Sequence, residues 1–442
     1  MYWAFNSNNL NQGLDLTCKK YNTIGVEQWS TPFFYGGSGT QQSYIVNVGE
    51  TALYIGGREC TGLTNTCDML LLKINKNNGT LIWNETMNFS GNGYDELDGL
   101  ALKDDGIYCG GWAHELESGT FNADMGFWKL DYSGNTIWTN YLGQTGSAEH
   151  QDGHFVVDDN YIFAAGLWNG SGAFNLYNGH SIVGRFDKSN GAMVDTTLFG
   201  PQSNNFLDIE NALGMTSSGD FLYITGYTTP IAANDWQIFV AKYDKNLNQI
   251  WYTDWGGTDA ESARGITVVD DVIYVAGLSS SPSIISGGLR DAVLLRLDTS
   301  GNVLSYETWG DANENSFRDI YVDNNAIYLS GTSEIDTTTD QKSAFLLKVA
   351  NGIGGTGKIA NDNKIGFNVS PNPSNGEVQI LFNNNQHEEG LVNVTDVNGR
   401  VIMSKIFSDN VENIDFRITN SGIYFITVEF EKYRISKKVI IN

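Results

Sequence analysis

At 442 residues with a formal net charge of −25, from 26 Lys and Arg against 51 Asp and Glu, the chain carries a field that repels phosphate backbones and anionic membranes. No run of about 18 apolar residues occurs, which excludes a spanning helix. A hydrophobic content of 41% with 12% aromatics excludes wholesale disorder, and 50 glycines against 6 prolines call for many tight turns between short strands. The composition is that of an all-β protein, and the acidity suits an extracellular chain, a cation binder or a protein with basic partners.

The opening, MYWAFNSNNL, has neither a basic segment nor an apolar one and does not read as a signal peptide. Cys18 lies in a strand-like run, as does Cys109, and both read as small core residues. Cys60 and Cys67 flank a short loop, RECTGLTNTCD, and can close a small disulfide in an oxidising compartment; the alternative is two unpaired thiols. No CxxC spacing supports a zinc site.

From the N-terminus to residue 350 a unit recurs with a period of about 54 residues. A clear copy reads SARGITVVDDVIYVAG, a loop, RDAVLLRLDTSGN and VLSYETWG, each piece alternating apolar and polar residues with the strand period of two. Tyr-x-x-Gly runs from Tyr54, Tyr108, Tyr223, Tyr274 and Tyr328; Phe163 replaces the tyrosine once, and Tyr2 to Phe5 keeps the spacing without the glycine. The next strand holds a basic residue at one register: Lys20, Lys73, Lys129, Arg185, Lys242, Arg296 and Lys348. Asp15, Asp68, Asp124 and Asp291 precede four of these by five residues, and Trp29, Trp83, Trp138 and Trp251 mark the following strand. The basic register reads as a solvated strand position. Four short strands per unit, repeated about seven times, form a β-propeller whose sheets bury their faces against one another.

The stretch from Trp255 to Gly277, W-G-G…(D/E)-x-x-x-G-I-x-V-x-x-x-x-Y-V-x-G, resembles the SBBP propeller repeats, named for a seven-bladed β-propeller. The resemblance covers roughly residues 1–350 and implies fold rather than ligand. In that phase the G-I-x-V strand is first and innermost. The first blade then has only its second to fourth strands, at 1–5, 14–22 and 26–35, and the last, at about 316–350, lacks its outermost one. The expectation is an N-terminally incomplete chain whose upstream part holds a signal peptide and two strands.

Residues 351–364 are rich in Gly and Asn and read as a linker. A different pattern follows over 365–442: five or more alternating strands separated by turns, the signature of a small Ig-like β-sandwich. Its landmarks are Pro371, Asn372, Pro373, Asn375 and Gly376, then Asp396 with Gly399 and Arg400, then Gly422 and Tyr424, and the terminal Lys437 and Lys438. In this order and spacing they resemble the type A C-terminal sorting domain of type IX secretion. That resemblance implies recognition by the outer-membrane export machinery, passage through the periplasm, and release or attachment at the cell surface. A plain adhesive immunoglobulin-like module is the alternative.

Catalytic signatures are sparse. His150 and His154 are four apart in a strand-entering segment, where such residues lie some 13 Å apart. His114-Glu115 lacks the second histidine of a metalloprotease helix, and no G-x-S-x-G elbow occurs. EF-hand loops are absent, so Ca²⁺ has little support and no cofactor is implied. One register carries a functional reading. A carboxylate recurs five residues before the first apolar position of the inner strand, at Asp95, Glu149, Glu210 and Glu261, with Asn315 and Thr40 in the equivalent place. These carboxylates either converge near the axis on a cation or basic group, or accept N–H bonds inside their own crossings. Trp112 and Trp168 follow the glycines and either stack on sugar rings or pack beneath their loops. The expected function is an exported binding protein for a glycan or protein ligand. A secreted polysaccharide hydrolase or lyase is the alternative, and a purely structural surface component is a third reading.

Overall fold

The computed structural model describes residues 2–9, 13–22, 26–32, 40–61, 66–89, 93–117, 120–142, 148–150, 155–169, 180–198, 209–229, 236–285, 289–311, 313–323, 326–336, 341–350, 367–370, 374–382, 390–396, 400–407, 413–430 and 434–441. All regular structure among them is β-strand. The expected linker at 351–364 lies outside these residues.

The first sheet has three strands, β1 (Tyr2–Asn9), β2 (Gly13–Tyr21) and β3 (Glu27–Pro32). The second is a four-stranded meander of β4 (Thr40–Val48), β5 (Ala52–Thr61), β6 (Thr66–Asn75) and β7 (Leu81–Met87). The third repeats it with β8 (Glu96–Lys103), β9 (Gly106–Glu117), β10 (Thr120–Leu130) and β11 (Thr136–Leu142). In the fourth, β12 (Ala148–His150) and β13 (Val156–Val157) both pair with β14 (Tyr161–Asn169), followed by β15 (His180–Asp187) and β16 (Met193–Leu198). The fifth runs β17 (Ile209–Ser218), β18 (Phe221–Thr229), β19 (Gln237–Asp244) and β20 (Gln249–Trp255). The sixth runs β21 (Glu261–Val269), β22 (Val272–Ser279), β23 (Asp291–Asp298) and β24 (Val303–Trp309). The seventh has three strands, β25 (Asn315–Val322), β26 (Ala326–Asp336) and β27 (Gln341–Ala350). The short first and last sheets match the phase read from the sequence.

Turn chemistry sets these hairpins. Asp298 Oδ1 accepts the N–H groups of Ser300 and Asn302 at 2.9 Å each, and Asn302 Nδ2 donates to Oδ2 at 2.8 Å. Asp131 and Asp244 make the same bonds in their own sheets. An Asp that ties down its own turn fixes the register of the two strands it joins.

The chain divides into two compact units, 1–233 with 241–252, and 234–240 with 253–442. Within each, neighbouring sheets bury their faces on one another. Tyr54, Met69 and Leu71 pack against Leu100, Ile107 and Trp128, and Phe127 and Tyr108 against Phe155 and Ile162. In the second unit Tyr274 and Leu294 pack against Phe317, Ile320 and Leu329. Each fully buried Leu or Phe contributes about 1.5–3 kcal/mol. The first strands also touch: β4 lies on β8, and β21 on β25.

The tail forms two sheets. One orders β28 (Phe367–Ser370), β29 (Glu377–Phe382) and β32 (Asn413–Arg417). The other has β30 (Gly390–Asp396) and β31 (Val401–Phe407) beside β33 (Gly422–Phe430) and β34 (Arg434–Ile441). Val378, Ile380, Ile414 and Phe416 from the first share one core with Val392, Val394, Ile426 and Val428 from the second. Phe425 also packs against the core of the sixth and seventh sheets.

Candidate functional site

The recurring carboxylates are engaged within their own crossings wherever their side chains are described. Glu261 is fully buried. Its Oε1 accepts the Ser279 hydroxyl at 2.6 Å and the Ser281 N–H at 3.3 Å, and its Oε2 accepts the Gly257 N–H at 2.8 Å. A Cβ on Gly256 would run into Glu261 Oε2, which explains the glycine pair after Trp255. Asp95, also fully buried, accepts the Phe89 N–H at 2.7 Å. Asn315 donates to Asp311 Oδ1 at 3.0 Å and to the Asn313 carbonyl at 3.2 Å. Glu149 pairs with Trp168, and Glu210 with Thr228, in the register where Glu261 meets Ser279. In the second sheet that register belongs to Gln41, opposite Glu59; Thr40 lies one residue off it. Among the described residues no group of three or more His, Cys, Asp and Glu comes together as a metal site.

The basic register is not a solvated row. All seven cations lie over an aromatic ring of the adjoining strand: Lys20 on Tyr2, Lys73 on Tyr54, Lys129 on Tyr108, Arg185 on Tyr161, Lys242 on Tyr223, Arg296 on Tyr274 and Lys348 on Tyr328. Three of them reach on into the next sheet's turn: Lys20 Nζ donates to the Lys76 carbonyl at 3.2 Å, Lys73 Nζ to that of Tyr132 at 2.6 Å, and Arg185 to that of Lys245 at 3.2 Å. The aliphatic stem lies along apolar surface while the charged tip fastens one sheet to the next.

Lys129, only 7% exposed, ends instead on Asp105 at 2.8 Å, where Tyr108 and Lys188 also converge. Burial works to raise the Asp105 carboxyl, but hydrogen bonds from Lys129, Tyr108 and Lys188 outweigh it and hold the group down to about 2. A depressed carboxyl contributes stability above its unfolded value near ~4 and loses it as pH falls through the folded value. The chain should therefore lose melting temperature between pH ~4 and ~2 more steeply than an Asp105→Asn variant. Parallel acid profiles for the two would show that this contact is not linked to folding.

The first strands carry the feature that the sequence reading missed. In five of the sheets the first strand has a one-residue β-bulge at the same place: between Ser43 and Ile45, Leu97 and Gly99, Ala212 and Gly214, Ala263 and Gly265, and Phe317 and Asp319. The bulged residues are Tyr44, Asp98, Leu213, Arg264 and Arg318. A bulge re-aims its side chain away from the regular alternation. It also accounts for the glycine of Tyr-x-x-Gly. A Cβ on Gly57, Gly111, Gly277 or Gly331 would overlap the carbonyl oxygen of Gln42, Glu96, Ser262 or Ser316, two residues before the bulged one. The visible signal was the unassigned residue three places after each carboxylate, ahead of Gly99, Gly214 and Gly265.

Around Tyr44 the bulge builds a polar cluster. The Tyr44 hydroxyl donates to Gln42 Oε1 at 2.7 Å, with Glu96 Oε1 3.3 Å away as the alternative acceptor. Arg58 pairs with Glu96 and lies over the rings of Tyr94 at 4.3 Å and Tyr44 at 5.7 Å. Burial, and then the Glu96 charge, push the Tyr44 phenol well above its usual range. Cys60 and Cys67 pair directly across β5 and β6 and form a disulfide in the adjoining hairpin. Trp112 is half-buried on β9; the side chains of Trp168, His114 and His150, and all of His154, lie outside the described residues.

In the tail, Asp396 Oδ1 accepts the Arg400 N–H at 3.0 Å and Oδ2 accepts Arg400 Nε at 3.1 Å, tying the end of β30 to the residue that precedes β31. The Tyr424 hydroxyl donates to the Asn420 carbonyl at 2.9 Å. Gly376 has φ +107°, donates to Ser374 Oγ at 3.0 Å and follows the exposed Asn375. Lys437 and Lys438 sit opposite Ile426 and Phe425 in the strand register. Pro371, Asn372, Pro373 and Gly399 fall outside the described residues.

Antiparallel meanders of four strands, stacked face to face and built on one repeated sequence unit, define a β-propeller repeat protein. Its residues 368–442 match the secretion system C-terminal sorting domain family, so the chain is marked for export and for release or attachment at the cell surface. No helix among the described residues is long and apolar enough to cross a membrane. A search of the curated proteins finds no match. Among solved structures the chain is similar to the β-propeller domain of the Trilobed protease from Pyrococcus furiosus, at 9% identity, 79% coverage of this chain, 89% of that one and a TM-score of 0.42. It is also similar to a thermostable family-43 glycoside hydrolase, at 10% identity, 74% and 94% coverage and a TM-score of 0.38. A third likeness is to the Synechocystis apocarotenoid oxygenase, at 8% identity, 94% and 92% coverage and a TM-score of 0.44.

Proposed function

We propose that the chain is an exported, non-catalytic binding protein whose recognition residues are those on the first-strand bulges. One observation carries this reading: the backbone repeats the bulge, while the residue on it changes from Tyr44 to Asp98, Arg264 and Arg318; Leu213, on the remaining bulge, is buried and takes no part. Within each of the two units, a fixed scaffold presenting varied, aimed side chains is the layout of a recognition surface. A carboxylate acid and base pair has no support in the recurring register, since Glu261 and Asp95 are buried and hydrogen-bonded inside their own crossings. The ligand class is an extracellular glycan or protein.

The test is a glycan and surface-protein binding screen of the full chain, run beside an assay for release of reducing ends. Binding without release is expected. Release of reducing ends at a rate above buffer would establish the hydrolase alternative instead. The export half has its own test in a bacterium that uses this secretion route. With a signal peptide fused ahead of Met1, the intact chain should reach the surface and deletion of 365–442 should leave it in the periplasm; normal surface delivery of that deletion would overturn the sorting role of the tail.

A further inference from the structure

Within the second unit, β21 and β25 belong to successive sheets and lie backbone to backbone. A Cβ on Gly265 would sit 3.0 Å from both Asp319 Cα and Ile320 N, so no side chain separates the strands there. The residue before Gly265 is the bulged Arg264, and the residue before Asp319 is the bulged Arg318. Both are exposed, and each follows a buried residue, Ala263 at 1% and Phe317 at 2%; Asp319 after Arg318 is exposed as well. Enclosure by surrounding protein, and then the charge of Arg264, lower the Arg318 guanidinium to about 10. By surface area the side chain is open, so the enclosure is that of a crowded rim rather than a sealed interior.

Like charges set side by side are unfavourable unless something compensates them. Elsewhere on these sheets arginine is compensated: Arg290 pairs with Glu314 at 3.5 Å and Arg296 with Glu307 at 2.8 Å. Among the described residues neither Arg264 nor Arg318 has an ion pair or a hydrogen bond from its guanidinium. The nearest acid in sequence, Asp319, turns Oδ1 onto the Ile320 N–H at 2.8 Å. Two uncompensated guanidiniums, in a chain with twice as many acids as bases, present a doubled set of forked donors.

We propose that Arg264 and Arg318 together bind one oxyanion group, a carboxylate or a sulfate, on an extracellular ligand. This rests on the reading of the bulges as a recognition register. The net charge of −25 adds a size limit. A long polyanion would be repelled by the rest of the surface, whereas a single anionic group meets mainly the local pair once salt at about 0.15 M has cut the range of charge effects to about 8 Å. The ligand is therefore short or sparsely charged.

Calorimetric titration of the full chain tests this with three probes: inorganic sulfate, a galacturonate trimer and the uncharged galactose trimer. Sulfate or the galacturonate trimer should bind and the galactose trimer should not; which of the two binds better separates a sulfate from a carboxylate source. Arg264→Gln and Arg318→Gln should each weaken binding about 10-fold, the effect of losing one charge-assisted contact, and the double variant should abolish it. Each variant should melt no lower than the parent, because removing one charge relieves repulsion; a purely structural arginine would lower the melting temperature. Absence of binding by the parent to both anions at about 50 mM overturns the proposal. So does undiminished binding by the double variant. If the galactose trimer binds and the anions do not, the oxyanion assignment fails while the recognition reading stands.

Discussion

Gly277→Ala is expected to destabilise the protein by about 3 kcal/mol or more, at the upper end of what overpacking costs. The new methyl group would overlap the Ser262 carbonyl oxygen and lie 2.8 Å from Ala263 Cα and 3.0 Å from Ala263 Cβ. These atoms belong to the strand just before the bulge at Arg264, so relief requires the bulge itself to move. The glycine of Tyr-x-x-Gly is thus the partner of a distorted strand, and the pair recurs because one cannot form without the other. Denaturant unfolding of the variant checks this. A midpoint equal to the parent's would mean that the strands are not held at this separation.

Glu261→Ala should cost a similar amount, about 3 kcal/mol or more, through a different route. It leaves the fully buried Ser279 hydroxyl and the part-buried Gly257 N–H without their acceptor. Each such group costs about 1–3 kcal/mol. Glu261→Gln, which keeps an acceptor oxygen at similar volume, should lose less. Equal and small losses for both variants would show that the carboxylate is not needed by its crossing and would make it a candidate ligand group again.

Much of the architecture was written in local sequence. Period-two alternation with Asp-x-x-Gly-Asn turns gave the strands and their hairpins, and the phase of Gly-Ile-x-Val gave three-stranded sheets at β1–β3 and β25–β27. The Cys60–Cys67 pairing followed from two cysteines flanking a hairpin loop. The bulges did not follow, because one extra residue inside a strand leaves its apolar pattern almost intact. The same cause displaced one assignment. In β4 the bulge is followed by Ile45 rather than glycine, and counting back from Ile45 lands on Thr40, whereas the bonded register lands on Gln41. Alternation also says which face a lysine occupies but not how far its stem reaches. Lys73 and Lys20 therefore read as solvated although they fasten neighbouring sheets. Of the four carboxylates that recur before the inner strands, Asp95 and Glu261 prove to be bonded in their own crossings. Glu149 and Glu210 share their strand register.

The separation of roles between scaffold carboxylate and bulged residue is the centre of the account. Its most direct measurement sets Glu261→Gln beside the Arg264→Gln, Arg318→Gln double variant, reading melting temperature and oxyanion affinity on each. The double variant should lose affinity at a melting temperature close to the parent's, and Glu261→Gln should lose melting temperature while keeping its affinity in the folded fraction. The reverse pattern, with affinity lost at Glu261 and retained in the double variant, would contradict it.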